Sequence, residues 1–251
     1  MKTTSPCFIT RPPSFPRNWD ALPPALRGRA ARMRARARRA SRALALLSVE
    51  LGPVLRRLID ILAVGLGLLL VSPLLLVTAL AIKLDSRGPV LFRQERLGQH
   101  GRPFQMLKLR TMRLGADAEK ARLATRVPGA VDRVRFKLRV DPRTTRVGRV
   151  LRKYSIDELP QLWNVLRGDM TLVGPRPALW MEVAKYRARE LRRLEVRPGL
   201  TCLWQVEGRS DLSFERQVSL DLEYIDRVTP RQELRILART IPAVLTGRGA
   251  Y

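Results

Sequence analysis

Ile61 to Ile82 is a run of twenty-two residues without a charge, bounded by Asp60 and Lys83. A bilayer-spanning helix needs about 20 apolar residues, so this run predicts membrane association. Ser72-Pro73 falls near its middle. Proline lacks an N–H and clashes with the preceding turn, so it kinks or interrupts a helix. The flanks add a second constraint: residues 1–60 hold 13 Lys/Arg against 3 Asp/Glu, and residues 83–251 hold 35 against 19. A single span would leave one basic flank outside, against the usual charge bias, although that bias is weak for long domains. A helix that enters, breaks at Ser72-Pro73 and returns would keep both flanks on the cytoplasmic face. Charge alone leaves both readings open.

The remainder is basic and globular. Net charge is +26 over 251 residues, with 41 Arg and 7 Lys. Such an excess calls for an anionic partner: nucleic acid, an acidic membrane surface or phosphorylated substrates. Apolar residues make up 45%, enough for a core, which excludes global disorder. Two cysteines, Cys7 and Cys202, and one histidine, His100, exclude a disulfide framework, a cysteine zinc site and multi-histidine metal chemistry. Carboxylate, Lys/Arg, Ser/Thr and backbone chemistry survive.

Along the chain, residues 1–26 are proline-rich and read as a disordered lead. Residues 27–42 carry eight arginines, as an Arg/Ala helix or a solvated arm. Val90 to Arg96 and Phe104 to Met112 flank Gly98-Gln99-His100-Gly101 as a hairpin, with His100 solvated at its tip and Lys108 and Arg110 on one face. Leu179 to Val196 has a highly charged helical pattern. Phe214, Val218, Leu222 and Ile225 form a helical stripe. Thr229-Pro230 then supplies an N-cap and a first-turn proline for a last helix. In that helix Leu234, Leu237, Ile241 and Val244 line one face and Arg231, Arg235 and Arg239 another. It lies on a membrane surface or packs on the core with a solvated arginine edge.

The stretch Asp141 to Pro177 carries the chemistry. Asp157 and Glu158 stand just before a helix that Pro160 starts and Gly168 ends. Two carboxylates and a phosphate can share Mg²⁺, which takes one or two protein carboxylates plus phosphate oxygens. The competing reading is a capping box, because Ser155-Ile156-Asp157-Glu158 fits S-x-x-E. Arg152, Lys153 and Arg176 lie around the pair. Arg176 is held between Pro175 and Pro177, whose stiffness would fix where its phosphate-binding fork points.

In these motifs the chain resembles the monotopic phosphoglycosyl transferase family of bacterial sugar transferases. The matching runs are Arg56-Arg57-Leu58-Ile59-Asp60, Ser72-Pro73, Gly88-Pro89-Val90, Gln94-Glu95-Arg96-Leu97-Gly98 and Lys108-Leu109-Arg110-Thr111-Met112. They continue with Asp157 to Val165, Gly174-Pro175-Arg176-Pro177, Arg197 to Thr201, Leu203-Trp204-Gln205-Val206 and Gly249-Ala250-Tyr251. Together they span about residues 56–251.

The resemblance implies that Asp157 is the nucleophile on a UDP-sugar, that UMP leaves, and that undecaprenyl phosphate accepts the sugar phosphate. It implies Mg²⁺ on Glu158 and substrate phosphates on Arg152, Arg176, Lys108 and Arg110. Gln161, Asn164, Ser72 and Pro73 are supporting residues, and the Ser-Pro break becomes a re-entrant membrane helix. The expected fold class is α+β: a mostly helical domain with a small hairpin and amphipathic surface helices. The expected divisions are an extension (1–55), the re-entrant helix (56–84) and the catalytic domain (85–251) on the cytoplasmic face of a bacterial inner membrane.

Expected partners are a UDP-sugar (UDP-glucose or UDP-galactose), undecaprenyl phosphate and anionic phospholipid, with no nucleic acid. A homo-oligomer is left open. Two other classes compete. A membrane-tethered nucleic-acid binder would interleave aromatics with its basic residues, and this chain does not. A metal-dependent glycosyltransferase releasing UDP would show D-x-D after an apolar strand, and Asp221-Leu222-Glu223 sits in a helical pattern instead. Cys202 stands where the family usually has glycine, and Gln232-Glu233 reads as surface drift.

Overall fold

The computed structural model describes the backbone of residues 24–116, 118–119, 122–123, 134, 138, 140–247 and 249, with side chains from Val54 onward. The expectations for residues 1–23 and for Ala250 and Tyr251 lie outside the described residues. The chain divides into two units, Met1–Arg56 and Arg57–Tyr251, and the second carries everything that follows.

The first helix, α1, is Pro24–Asp85 and takes in the arginine-rich stretch 27–42. It remains helical through Ser72 and Pro73, so the expected break is not a loss of helical conformation. Pro73 cannot donate to the Leu69 carbonyl four residues back. The Ser72 hydroxyl does so instead, at 2.8 Å. The serine thus satisfies the acceptor that the proline orphans, and the helix continues.

Leu62, Leu66, Leu69, Leu70, Leu76, Val77 and Leu80 are all more than half exposed. The other face of α1 is packed on both sides of the proline. Val64, Leu68 and Val71 meet Leu162, Val165 and Met170. Leu75 and Ile82 meet Leu109 and Leu151.

The hairpin forms as expected. β1 (Leu91–Leu97) and β2 (Pro103–Leu109) are antiparallel with Phe92 opposite Lys108. His100 is exposed at the turn with φ 56°. Next come α2 (Arg146–Lys153), a 3₁₀ turn at Ile156–Glu158, and α3 (Gln161–Arg167), which ends on left-handed Gly168.

A second small sheet has no sequence signature. β3 (Thr171–Val173) pairs in parallel with β4 (Gly199–Thr201). Gly174 and Gly199 let the two backbones meet: a Cβ on Gly199 would lie 2.0 Å from the Gly174 nitrogen.

The helix expected over Leu179 to Val196 is instead two four-residue helices, α4 (Trp180–Val183) and α5 (Ala188–Leu191), followed by a 3₁₀ turn. Its glutamates cap rather than continue: Glu182 accepts from the Leu179 N–H and Glu190 from the Arg187 N–H. α6 (Leu203–Glu207), α7 (Phe214–Arg227) and α8 (Pro230–Thr246) complete the described fold. Phe214, Val218 and Leu222 are buried on α7, and Thr229 caps α8 by accepting from Gln232 N–H at 3.2 Å.

On α8, Ile236 is buried, while Leu234, Ile241 and Leu245 are each more than 60% exposed. The apolar face expected there is split: Leu237 packs on the core with Val173, Tyr224 and Ile236, whereas Leu234 and Ile241 face outward. Glu233 is not surface drift: the Tyr224 hydroxyl donates to it at 2.7 Å and lies 2.9 Å from the Val173 carbonyl. Cys202 is extended (φ −149°), a conformation open to any residue, so its position does not require glycine.

Asn164, fully buried on α3, imitates a strand edge against β2. It accepts from the Leu107 N–H at 3.0 Å and donates to the Gln105 carbonyl at 2.7 Å. Replacing it by leucine leaves two buried backbone groups unpaired, at about 1–3 kcal/mol each. Asn164→Leu is therefore expected to lower the melting temperature by several degrees, as read by thermal unfolding in detergent.

Candidate active site

Three chain segments converge on one carboxylate oxygen. β2 presents Lys108, the 3₁₀ turn presents Glu158, and the Gly-Pro-Arg-Pro loop after β3 presents Arg176. Glu158 Oε1 accepts from Lys108 Nζ at 2.8 Å and from Arg176 Nη2 at 2.7 Å. Lys108 and Glu158 are about 15% exposed and Arg176 27%, so the triad is largely withdrawn from water.

The turn owes its shape to Ser155, which takes the left-handed conformation (φ 53°) and reverses the chain after α2. Its side chain makes no cap bond, and Glu158 reaches across to the two cations. The capping box therefore does not form.

The two adjacent carboxylates differ in electrostatics. Burial alone would raise Glu158, but Arg176 and Lys108 hold it well below the usual carboxylate range. Asp157 is buried, and burial pushes it up to about 6 despite nearby Lys108, with Glu158 adding to the rise. Arg176 is raised by Glu158, whereas burial lowers Lys108. No described residue donates a hydrogen bond to Asp157, and its carboxylate lines a cleft of about 300 Å³. The cleft wall carries seven cationic side chains against four carboxylates, which favours an anionic occupant.

Of the residues singled out from sequence, Asp157, Glu158, Lys108, Arg152 and Arg176 share this cleft. Arg152 donates to Thr144 Oγ1 at 3.3 Å. Arg110 does not join them. It lies beyond the end of β2, and its guanidinium donates to the Ser86 and Arg87 carbonyls at 2.7 and 2.6 Å. That group lies so close to Gly88 (φ 122°) that a Cβ there would be 2.0 Å from Arg110 Nη1. Gln161 and Asn164 are buried behind the dyad, and Ser72 and Pro73 lie on α1.

Sequence reasoning passed over the arginines that hold the Gly-Pro-Arg-Pro loop. Arg96 donates to the Pro177 carbonyl at 3.1 Å and is pushed down to about 10 by burial. Arg193 donates to the Arg176 carbonyl at 3.3 Å and pairs with Asp221 at 2.9 Å. Asp221 left one signal: it falls three residues after Val218 and four before Ile225, a charge on the apolar stripe.

Comparison with known proteins matches residues 51–247 to the model for bacterial sugar transferases. The chain belongs to the bacterial sugar transferase family. Among its relatives is the exopolysaccharide production protein ExoY of Rhizobium meliloti, 41% identical over 203 residues, 80% of this chain and 90% of that protein. The UDP-glucose:undecaprenyl-phosphate glucose-1-phosphate transferase of Caulobacter vibrioides is 46% identical over 204 residues, 78% of this chain and 72% of that one. The undecaprenyl-phosphate galactose phosphotransferase of Salmonella typhimurium is 39% identical over 199 residues, 78% and 42% respectively. This sugar transferase is an enzyme, and the triad, the dyad and all of the cleft lining but Gly249 fall inside the matched segment.

The raised Asp157 has a consequence for stability. The folded protein favours its neutral form, so ionisation costs nothing below the unfolded value near 4. The cost grows with pH and is complete above about 6. The shift of about two units corresponds to roughly 2–3 kcal/mol. In Mg²⁺-free buffer, Asp157→Asn is expected to melt several degrees above wild type at pH 8 and level with it near pH 4. Equal melting at both pH values would remove the desolvation argument.

Proposed function

We propose that this sugar transferase moves a sugar 1-phosphate from a UDP-sugar to undecaprenyl phosphate, starting exopolysaccharide or O-antigen assembly, through a covalent intermediate on Asp157. The carrying observation is the unequal use of the two carboxylates. Glu158 is bound on Oε1 by two cations, whereas Asp157 faces the cleft with no described donor. The relatives named above support the substrate classes.

In this reading an Asp157 oxygen attacks the sugar-proximal phosphorus. The bond from that phosphorus to the bridging oxygen breaks, and UMP leaves with the electron pair. The sugar phosphate is then an acyl phosphate on Asp157. An oxygen of undecaprenyl phosphate attacks the same phosphorus and releases the carboxylate. Division into two displacements is the general logic of nucleophilic catalysis. Lys108, Arg152 and Arg176 orient the diphosphate and offset charge that would repel a carboxylate nucleophile.

Among the described residues, no group of three or more His, Cys, Asp or Glu could hold a metal on protein ligands alone. Mg²⁺ needs only one or two carboxylates beside phosphate oxygens, and Glu158 Oε2, which accepts no hydrogen bond from a described residue, fits that demand. When bound, Mg²⁺ would neutralise phosphate charge.

The membrane reading is re-entrant. α1 is the one helix among the described residues long and apolar enough to cross a bilayer. Yet both ends of its apolar segment, Val54–Asp85, are tied to the same globular unit. Arg57 donates to the Val165 and Leu166 carbonyls, and Asp60 accepts from Thr171 at 2.7 Å. At the far end Asp85 accepts from the Val147 N–H at 3.2 Å. A span would place these two attachments on opposite sides of the lipid. Entry and exit on the cytoplasmic face of the bacterial inner membrane satisfies both, with the exposed leucines in lipid. The outward Leu234, Ile241 and Leu245 beside Arg231, Arg235 and Arg239 suit an anionic lipid surface.

Wild type should release UMP from UDP-glucose or UDP-galactose and, without acceptor, carry one hexose phosphate by intact mass. Asp157→Asn should lose both, with turnover down at least a hundredfold, about 3 kcal/mol of barrier. Glu158→Gln should lose its response to Mg²⁺. Release of UDP instead would reassign the chemistry to direct glycosyl transfer. Cysteines at Ser48 and Ser86, in a chain lacking Cys7 and Cys202, should both resist an impermeant thiol reagent until lysis. Labelling at Ser48 in intact cells would mean a true span.

A further inference from the structure

Arg193 and Asp221 form a buried ion pair, with side chains 8% and 1% exposed, beside the cleft. An aspartate so deep on the apolar stripe of α7 is costly unless paired, and apolar replacement of such a pair is often neutral for stability. The pair therefore calls for a reason other than stability.

Arg193 donates two hydrogen bonds inside the protein and pairs with Asp221 by charge. Nε faces Asp221 Oδ2 at 2.9 Å, Nη1 donates to the Tyr186 hydroxyl at 2.5 Å, and Nη2 donates to the Arg176 carbonyl at 3.3 Å. Its planar group also lies over the Tyr186 ring, 5.6 Å from the centroid, and that ring packs against Phe214 at 5.7 Å. Although Arg193 borders the cleft, both of its Nη groups donate inside the protein. Between Pro175 and Pro177 the backbone of Arg176 has little freedom, and a donor on its carbonyl holds the Cα–Cβ bond from which the side chain reaches Glu158.

We propose that Arg193, held by Asp221 and Tyr186, is a positioning residue that aims Arg176 at Glu158 and the substrate phosphate. This rests on the reading of Arg176 as a phosphate ligand in the sugar-phosphate transfer proposed above. It assigns the pair no contact with substrate.

A functional double-mutant cycle tests it. The variants are Arg176→Ala, the apolar pair Arg193→Met with Asp221→Leu, and the three together. Each is assayed in membranes for kcat and KM with UDP-glucose or UDP-galactose, whichever wild type turns over, and melted in detergent. The apolar pair should melt within a few degrees of wild type yet lose tenfold to a hundredfold in kcat/KM. The triple variant should be no worse than Arg176→Ala alone.

If the triple variant loses the product of the two separate factors, Arg193 acts independently of Arg176 and the inference is wrong. If Arg176→Ala turns over like wild type, the role of Arg176 falls and this inference with it, whatever nucleotide is released. Should the apolar pair fail to fold, Arg193→Lys carries the same cycle. It keeps the charge opposite Asp221 but loses the three-way fork, and it should show the same non-additivity.

Discussion

The site depends on one oxygen atom. Glu158 Oε1 takes a lysine from the hairpin and an arginine from the loop after β3, so it joins segments 18 and 50 residues away in sequence. Withdrawing three charges from water is expensive, and the pairs repay it only when geometry is good. Removing the glutamate would leave two cations facing each other in a dry pocket. The arrangement makes the hairpin, the turn and the loop interdependent, and it spends Glu158 so that Asp157 beside it is left open. Two adjacent carboxylates with opposite displacements from their ordinary values are the result. Separation of roles by environment is a common way for one site to run more than one task.

Much of the scaffold was legible because local chemistry leaves marks. Gly168 ends α3, Thr229-Pro230 starts α8, and the Gly98 to Gly101 turn separates two strands. The β3 and β4 pair left none. Strands of three residues are too short for period-two alternation, and their partnership joins residues 28 apart. The charged run Leu179 to Val196 misled for a related reason. Glutamates that look like helix surface are used at Glu182 and Glu190 to start new short helices, which only the fold decides.

Within the site, motif order identified the dyad, Arg152, Arg176 and Lys108, but spacing could not separate catalysis from capping. S-x-x-E is satisfied in sequence and unused in structure, because Ser155 is left-handed and turns Glu158 toward Lys108. Arg110 shows the opposite failure. It shares strand parity with Lys108, yet it lies past the end of β2 and secures the chain leaving α1. In a protein with 41 arginines, a buried structural arginine and a phosphate ligand look alike until their partners are known.

The dyad turn is bracketed by two helices, and α1 grips both at their distant ends. Asp85 accepts from the N-terminal turn of α2, which runs forward to Lys153 just before the turn. Arg57 donates to the last carbonyls of α3, which begins just after it. Each grip also matches the helix dipole, an anion at an N-terminus and a cation at a C-terminus. The apolar segment of α1 is thereby linked to the dyad turn through two short helices. The proline in α1 is accompanied by a hydroxyl that takes over its missing hydrogen bond. With Ser72 bonded to the orphaned Leu69 carbonyl, the helix stays hydrogen-bonded between its two grips.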